Sequence, residues 1–126
     1  MRFLKEYVIL FFIIVFIISI EIITVNITKN FLSEINNKIE EVEYSIESDE
    51  NKKKIDELSE LWKNKENKLE YYMEHKELEE ISAKIRNAKS NIENDNIDEA
   101  KEQIDEIKFR VEHIKNIQKV NMRNIF

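Results

Sequence analysis

The chain has 126 residues, with 26 acidic against 20 basic side chains and a net charge of −6, a balance that repels phosphate backbones and excludes nucleic-acid binding as its expected work. Glycine, proline and cysteine are absent, which removes phosphate-cradling loops, nucleophile elbows, tight hairpins, disulfides and a lipid-carrying cysteine. What remains is rich in Glu, Lys, Ile and Leu, a composition that favours long helices.

The first element is apolar. Tyr7 to Ile20 carries no charge, and the run resumes after Glu21 as far as Ile27. A helix needs about 20 mostly apolar residues to cross a bilayer core. Residues 1–6 are therefore expected as a short cytoplasmic tail and residues 7–27 as a transmembrane signal-anchor helix. Arg2 and Lys5 also give the run the look of a secretory signal, but cleavage needs small residues after the apolar core. Here the chain reads Ser19-Ile20-Glu21-Ile22-Ile23-Thr24-Val25, so the anchor is expected to stay. Glu21, one turn from the outer boundary, reaches toward the headgroups. Arg2 and Lys5 precede the span while Lys29 and Lys38 follow it. Together with the short tail, this favours a cytoplasmic N-terminus and an extracytoplasmic 28–126 in the cell membrane, single-pass.

Four heptad-spaced apolar stripes follow. The first is Val25, Leu32, Ile35, Ile39, Val42 and Ile46, continuous with the membrane helix. The second is Ile55, Leu58, Trp62, Leu69 and Tyr72; the third is Leu78, Ile81, Ile85, Ala88 and Ile92. The fourth is Ala100, Ile104, Ile107, Val111 and Ile114. Ser48-Asp49-Glu50-Asn51 offers N-cap residues and first-turn acids, and Asn96 with Glu99 has capping-box spacing. Between Tyr72 and Leu78 the stripe slips by two residues, which argues for a break near Met73–Lys76; one continuous helix that turns its face is the alternative. With the breaks, the helices fall near 26–47, 52–73, 76–93 and 97–118. Similar lengths and short loops predict an all-α fold, an antiparallel up-down-up-down four-helix bundle over 28–120 behind the transmembrane helix. Residues 121–126 form a basic and apolar C-terminal tail.

In that topology the 73–76 turn and the C-terminal tail return to the bilayer. Tyr71, Tyr72, Met73, Lys115, Lys119, Arg123 and Phe126 are thus candidate membrane-interface contacts, since tyrosine prefers the interface and basic-plus-apolar tails bind anionic headgroups. The alternative is that Tyr72 is core and the tail is frayed.

Chemistry is sparse. His75 and His113 are the only histidines, and neither is preceded by Glu at i−3, as a carboxylate-bridged metal site in a bundle requires; Tyr72 and Arg110 stand there instead. The serines have no histidine base at suggestive spacing. Trp62 lies on a stripe and reads as core. Tyr44 and Phe109 fall opposite their helices' stripes and are candidate partner contacts. No catalytic, metal or cofactor-binding residue is expected, and the chain reads as a non-enzyme.

The N-terminal anchor, Trp62, the segment His75-Lys76-Glu77-Leu78-Glu79-Glu80-Ile81 and the closing Asn124-Ile125-Phe126, in that order and spacing, resemble an uncharacterised family of bacterial membrane-anchored proteins, domain of unknown function 4363. The resemblance covers nearly the whole chain. It implies a bacterial source and no activity, and it marks Trp62, His75 and Asn124 as positions to test. The reading is an accessory or interaction module for another membrane or cell-envelope protein, with the lipid bilayer and that protein, or a second copy, as partners. Two alternatives stay open: a self-associating structural coiled coil of the envelope, and a ligand-sensing bundle that works through a partner.

Overall fold

The computed structural model describes residues 2–71 and 73–125, with side chains over 3–71 and 73–117. Four helices follow in order: α1 (Arg2–Ser45), α2 (Asn51–Leu69), α3 (His75–Glu93) and α4 (Ile97–Ile125). Helix α1 packs on α2, α2 on α3 and α3 on α4, and α4 packs back on α1 to close the ring. Every neighbouring pair is antiparallel. Lys38 meets Glu57 while Glu41 meets Lys54. Trp62 meets Ser82 while Asp56 meets Lys89. Lys84 meets Glu106 while Glu80 meets Arg110. Glu43 meets Lys108 while Glu47 meets Lys101.

The two halves of α1 have different surroundings. From Phe3 to Ile23 every residue is exposed, although nearly all are apolar. Among the described residues this is the one helix long and apolar enough to cross a membrane. Burial begins at Thr28, whose hydroxyl donates to the Thr24 carbonyl at 2.8 Å and so enters the bundle satisfied. From Phe31 to Ile46 the apolar face of α1 is core. No kink residue separates the halves, because the chain has neither glycine nor proline.

The core is a single cluster made of the four stripes, except that Val25, expected to open the first, is only half-buried because it lies beyond the end of the bundle. Leu32, Ile35, Ile39 and Val42, then Ile55 and Leu58, then Leu78, Ile81, Ala88 and Ile92, then Ala100, Ile107 and Val111 are all fully buried. Each large stripe side chain contributes on the order of 1.5–3 kcal/mol. Phe31 is also buried, although it lies one position off the heptad, and it packs tilted on Trp62 with ring centroids 6.2 Å apart.

The junctions are real breaks, with some shifts from the expected ends. At the first, α2 starts at Asn51, so Asp49 and Glu50 stand before the helix rather than in its first turn, and Glu50 makes no side-chain cap. Ser48 organises this turn instead. Its hydroxyl donates to the Ser45 carbonyl at 2.8 Å and accepts the Glu50 N–H at 3.2 Å. The second break resolves the question left by the slipped stripe: α2 and α3 are separate helices. Helix α2 ends at Leu69, earlier than residue 73, because Leu69 is its last described buried stripe residue and the Met73 N–H turns back to the Leu69 carbonyl at 2.9 Å.

The third break shows how a chain without glycine ends a helix. Asp95 takes φ 59°, the left-handed conformation usually given to glycine. Its N–H bonds the Ile92 carbonyl at 3.2 Å, and the Asn96 N–H bonds the Asn91 carbonyl at 2.8 Å, which together form a Schellman closure. Asn96 then opens α4, its carbonyl accepting the Ala100 N–H at 3.0 Å. Helix α4 continues to Ile125 rather than stopping near 118, since no breaker follows Ile117.

Candidate functional site

Two surfaces stand out, one at the end of the bundle from which the apolar half of α1 projects and one on α4. The first follows from register. Glu57 pairs with Lys38, so Leu69, twelve residues further along α2, comes level with Asn26, twelve residues back along α1. The end of α2 and the turn into α3 therefore sit where α1 leaves the bundle. There a groove opens between α1 and α2, lined by Ile27, Asn30, Phe31 and Glu34 from α1 and by Lys65, Lys68 and Leu69 from α2. Phe31 and Leu69 form a buried apolar floor, and Ile27 stays half-exposed at the rim. The Lys65 ammonium lies 6.0 Å from the centroid of the Phe31 ring, at the reach of a cation–π contact.

The lysines there differ from several of those higher up. In the upper bundle Lys38, Lys54, Lys89 and Lys101 each meet a carboxylate of a neighbouring helix. Glu57 is held below its usual carboxylate range chiefly by the hydrogen bond from Lys38, and Glu47 likewise by Lys101. Lys38 is raised by its hydrogen bonds to Glu41 and Glu57, and Lys101 by that to Glu47. Lys65 and Lys68 enter none of the ion pairs among the described residues. Across the groove, among the described residues, stands a single carboxylate, Glu34.

The second surface is a shallow open groove between α3 and α4, lined by Glu77, Lys84, Asp105, Glu106, Phe109, Arg110 and His113. Phe109 projects from it 71% exposed, its ring stacked 6.4 Å from that of His113. Arg110 is held by Glu80 and Lys84 by Glu106, so both basic side chains beside Phe109 are already paired. Tyr44 is 95% exposed on the outer face of α1. Both aromatics point away from the core, as their places in the heptads require, but they stand on different helices and form no ring contact with each other among the described residues.

The remaining sequence candidates fall as follows. Tyr71 is exposed in the α2–α3 turn, and Met73 is partly buried against the core. Lys115 is half-buried on α4. Tyr72 and Phe126 lie outside the described residues, as do the side chains of Lys119, Arg123 and Asn124. His75 opens α3 and bonds Glu79 through Nε2 at 2.9 Å, with Glu70 at 3.8 Å from Nδ1. Trp62 is core. Its indole N–H donates to the Ser82 hydroxyl at 2.6 Å, and that hydroxyl donates to the Glu66 carboxylate at 2.9 Å. Among the described residues no group of three or more His, Asp or Glu is placed to hold a metal ion.

Stripe reasoning missed the α1–α2 groove because its members are spread over two helices. The legible signal was Lys65 and Lys68 at i, i+3 beside the stripe residue Leu69, with Phe31 adding an off-heptad aromatic.

A closed antiparallel four-helix bundle, one of whose helices runs on as an exposed apolar rod, is the class these features define. The chain belongs to the domain of unknown function DUF4363, whose family model matches residues 22–125. That span begins inside the apolar stretch and takes in the whole bundle. No curated protein and no solved structure matches the chain.

Proposed function

We propose that this protein is a single-pass membrane protein whose bundle is a non-enzymatic accessory module for another membrane or envelope protein. The N-terminus is cytoplasmic and the bundle extracytoplasmic. The observation that carries this reading is the unbroken α1, whose exposed apolar half leads directly into a helix of the core. A rod of apolar side chains is stable in lipid and aggregates in water. The same rigid helix would hold the bundle at a fixed distance and orientation from the bilayer. The stripes support a bundle over a parallel coil, since the face of α1 that a coil would use is buried inside the chain's own ring. Phe109 and Tyr44 supply exposed aromatic contacts of the kind that anchor protein interfaces.

The test is purification of the full-length protein from its native membranes in mild detergent. A stoichiometric membrane protein recovered with it supports the accessory role. Recovery of this chain alone as a stable oligomer would replace that role with self-association. Recovery from the soluble fraction, without detergent, would sink the anchor itself.

A further inference from the structure

The groove between α1 and α2 has three properties that do not belong together on an ordinary surface. Its floor is apolar, formed by the buried rings and chains of Phe31 and Leu69. Two lysines, Lys65 and Lys68, line it, and neither enters an ion pair among the described residues, whereas Lys38, Lys89, Lys101 and Lys108 each pair across a helix interface. It also opens at Ile27, where the exposed apolar half of α1 begins to run away from the bundle.

We propose that this groove binds one anionic phospholipid. Its phosphate is held by Lys65 and Lys68, and its glycerol and upper acyl carbons lie over Phe31, Leu69 and Ile27. The inference rests on the reading of α1 as a membrane anchor and adds a specific lipid site to it. Charge selects the headgroup, since two ammoniums face one carboxylate, Glu34, and a phosphodiester supplies the missing anion. The amide of Asn30 stands on the same wall and supplies a neutral donor. Position selects lipid over a soluble phosphate. The apolar floor is continuous with the part of α1 that would lie among acyl chains, so one amphipathic molecule covers both. A free phosphate would leave the floor wet.

The full chain is reconstituted into nanodiscs containing equal amounts of phosphatidylglycerol and phosphatidylcholine. It is then extracted in mild detergent, and the lipids retained per chain are counted by mass spectrometry. The wild-type chain should retain phosphatidylglycerol in preference. A lysine near the surface contributes about fivefold to anionic-lipid binding, so Lys65→Gln with Lys68→Gln should lower the preference by about 25-fold. Neither lysine takes part in an ion pair among the described residues, and Trp62 emission should show the same buried indole in that variant. Lys52→Gln with Lys53→Gln removes the same charge from the other end of the bundle and should leave the preference intact. Equal loss in both double variants, no loss in the groove variant, or no preference in the wild type would each overturn the site. Displacement of the lipid by inorganic phosphate, but not by chloride at equal ionic strength, would overturn the assignment to lipid. A chain that stays in the aqueous phase and never enters the nanodiscs would reject the anchor itself, a failure distinct from the others.

Discussion

Ser82 shows how much one small side chain does in this core. It is 8% exposed, accepts the Trp62 indole N–H and donates its own O–H to the Glu66 carboxylate. The indole must be buried to fill the space between α1, α2 and α3, and a buried N–H needs an acceptor. Removing the hydroxyl strands that donor, so Ser82→Ala should lower stability by about 1–3 kcal/mol. The single tryptophan of the chain reports this directly: urea unfolding followed by Trp62 fluorescence should shift to lower denaturant. An unchanged midpoint would mean that Glu66 or water takes over as acceptor at no cost. None of this was legible beforehand. Trp62 could be assigned to the core from its stripe, but its partner lies twenty residues away on another helix, and only packing brings the two together.

At the scale of the helix, periodicity was sufficient. Every described member of the second, third and fourth stripes is buried, as are Leu32 to Ile46 of the first. Leu and Ile at heptad spacing on otherwise Glu- and Lys-rich segments leave one face to bury and one to solvate. Helix ends were read less well, because they depend on where packing stops supporting a turn: α2 ends at Leu69, and α4 runs to Ile125. The pairing of helices adds an electrostatic layer. Glu57 with Lys38 ties α2 to α1, and Glu47 with Lys101 ties α4 to α1. Both carboxyls are lowered from the ordinary 4.5 in the folded chain. Their contribution is therefore complete above that value and is lost as pH falls through the lowered folded values. Unfolding midpoints in detergent should be level near neutral pH and drop in acid. Glu57→Gln with Glu47→Gln should flatten the part of that drop the two pairs cause. An identical acid profile in the double variant would remove these pairs as its source. On the alkaline side Lys38 and Lys101 are raised above 10.5, so the same ties persist to that pH and fail only as pH passes the raised values.

At the scale of the molecule, the bundle has two unlike ends and one projecting aromatic. Phe109 is exposed and its ring stacks on His113, so Phe109→Ser should leave helicity unchanged and stability within about 0.5 kcal/mol. The same variant should release a partner recovered with the wild-type chain. Circular dichroism and co-purification read the two effects separately, and a large loss of helicity would place Phe109 in the core instead. The sequence by itself determined the apolar rod, the four amphipathic segments, the faces they bury and the outward setting of Tyr44 and Phe109. These follow from hydrophobic period and composition, which act within one segment. Tertiary structure alone decided that α4 closes the ring on α1, that Ser82 serves Trp62, and that Lys65 and Lys68 line one groove with Phe31 where α1 leaves the bundle. Such facts depend on the register between helices distant in sequence, and a stripe that repeats every seven residues specifies which face is buried without specifying which turn of the neighbour it meets.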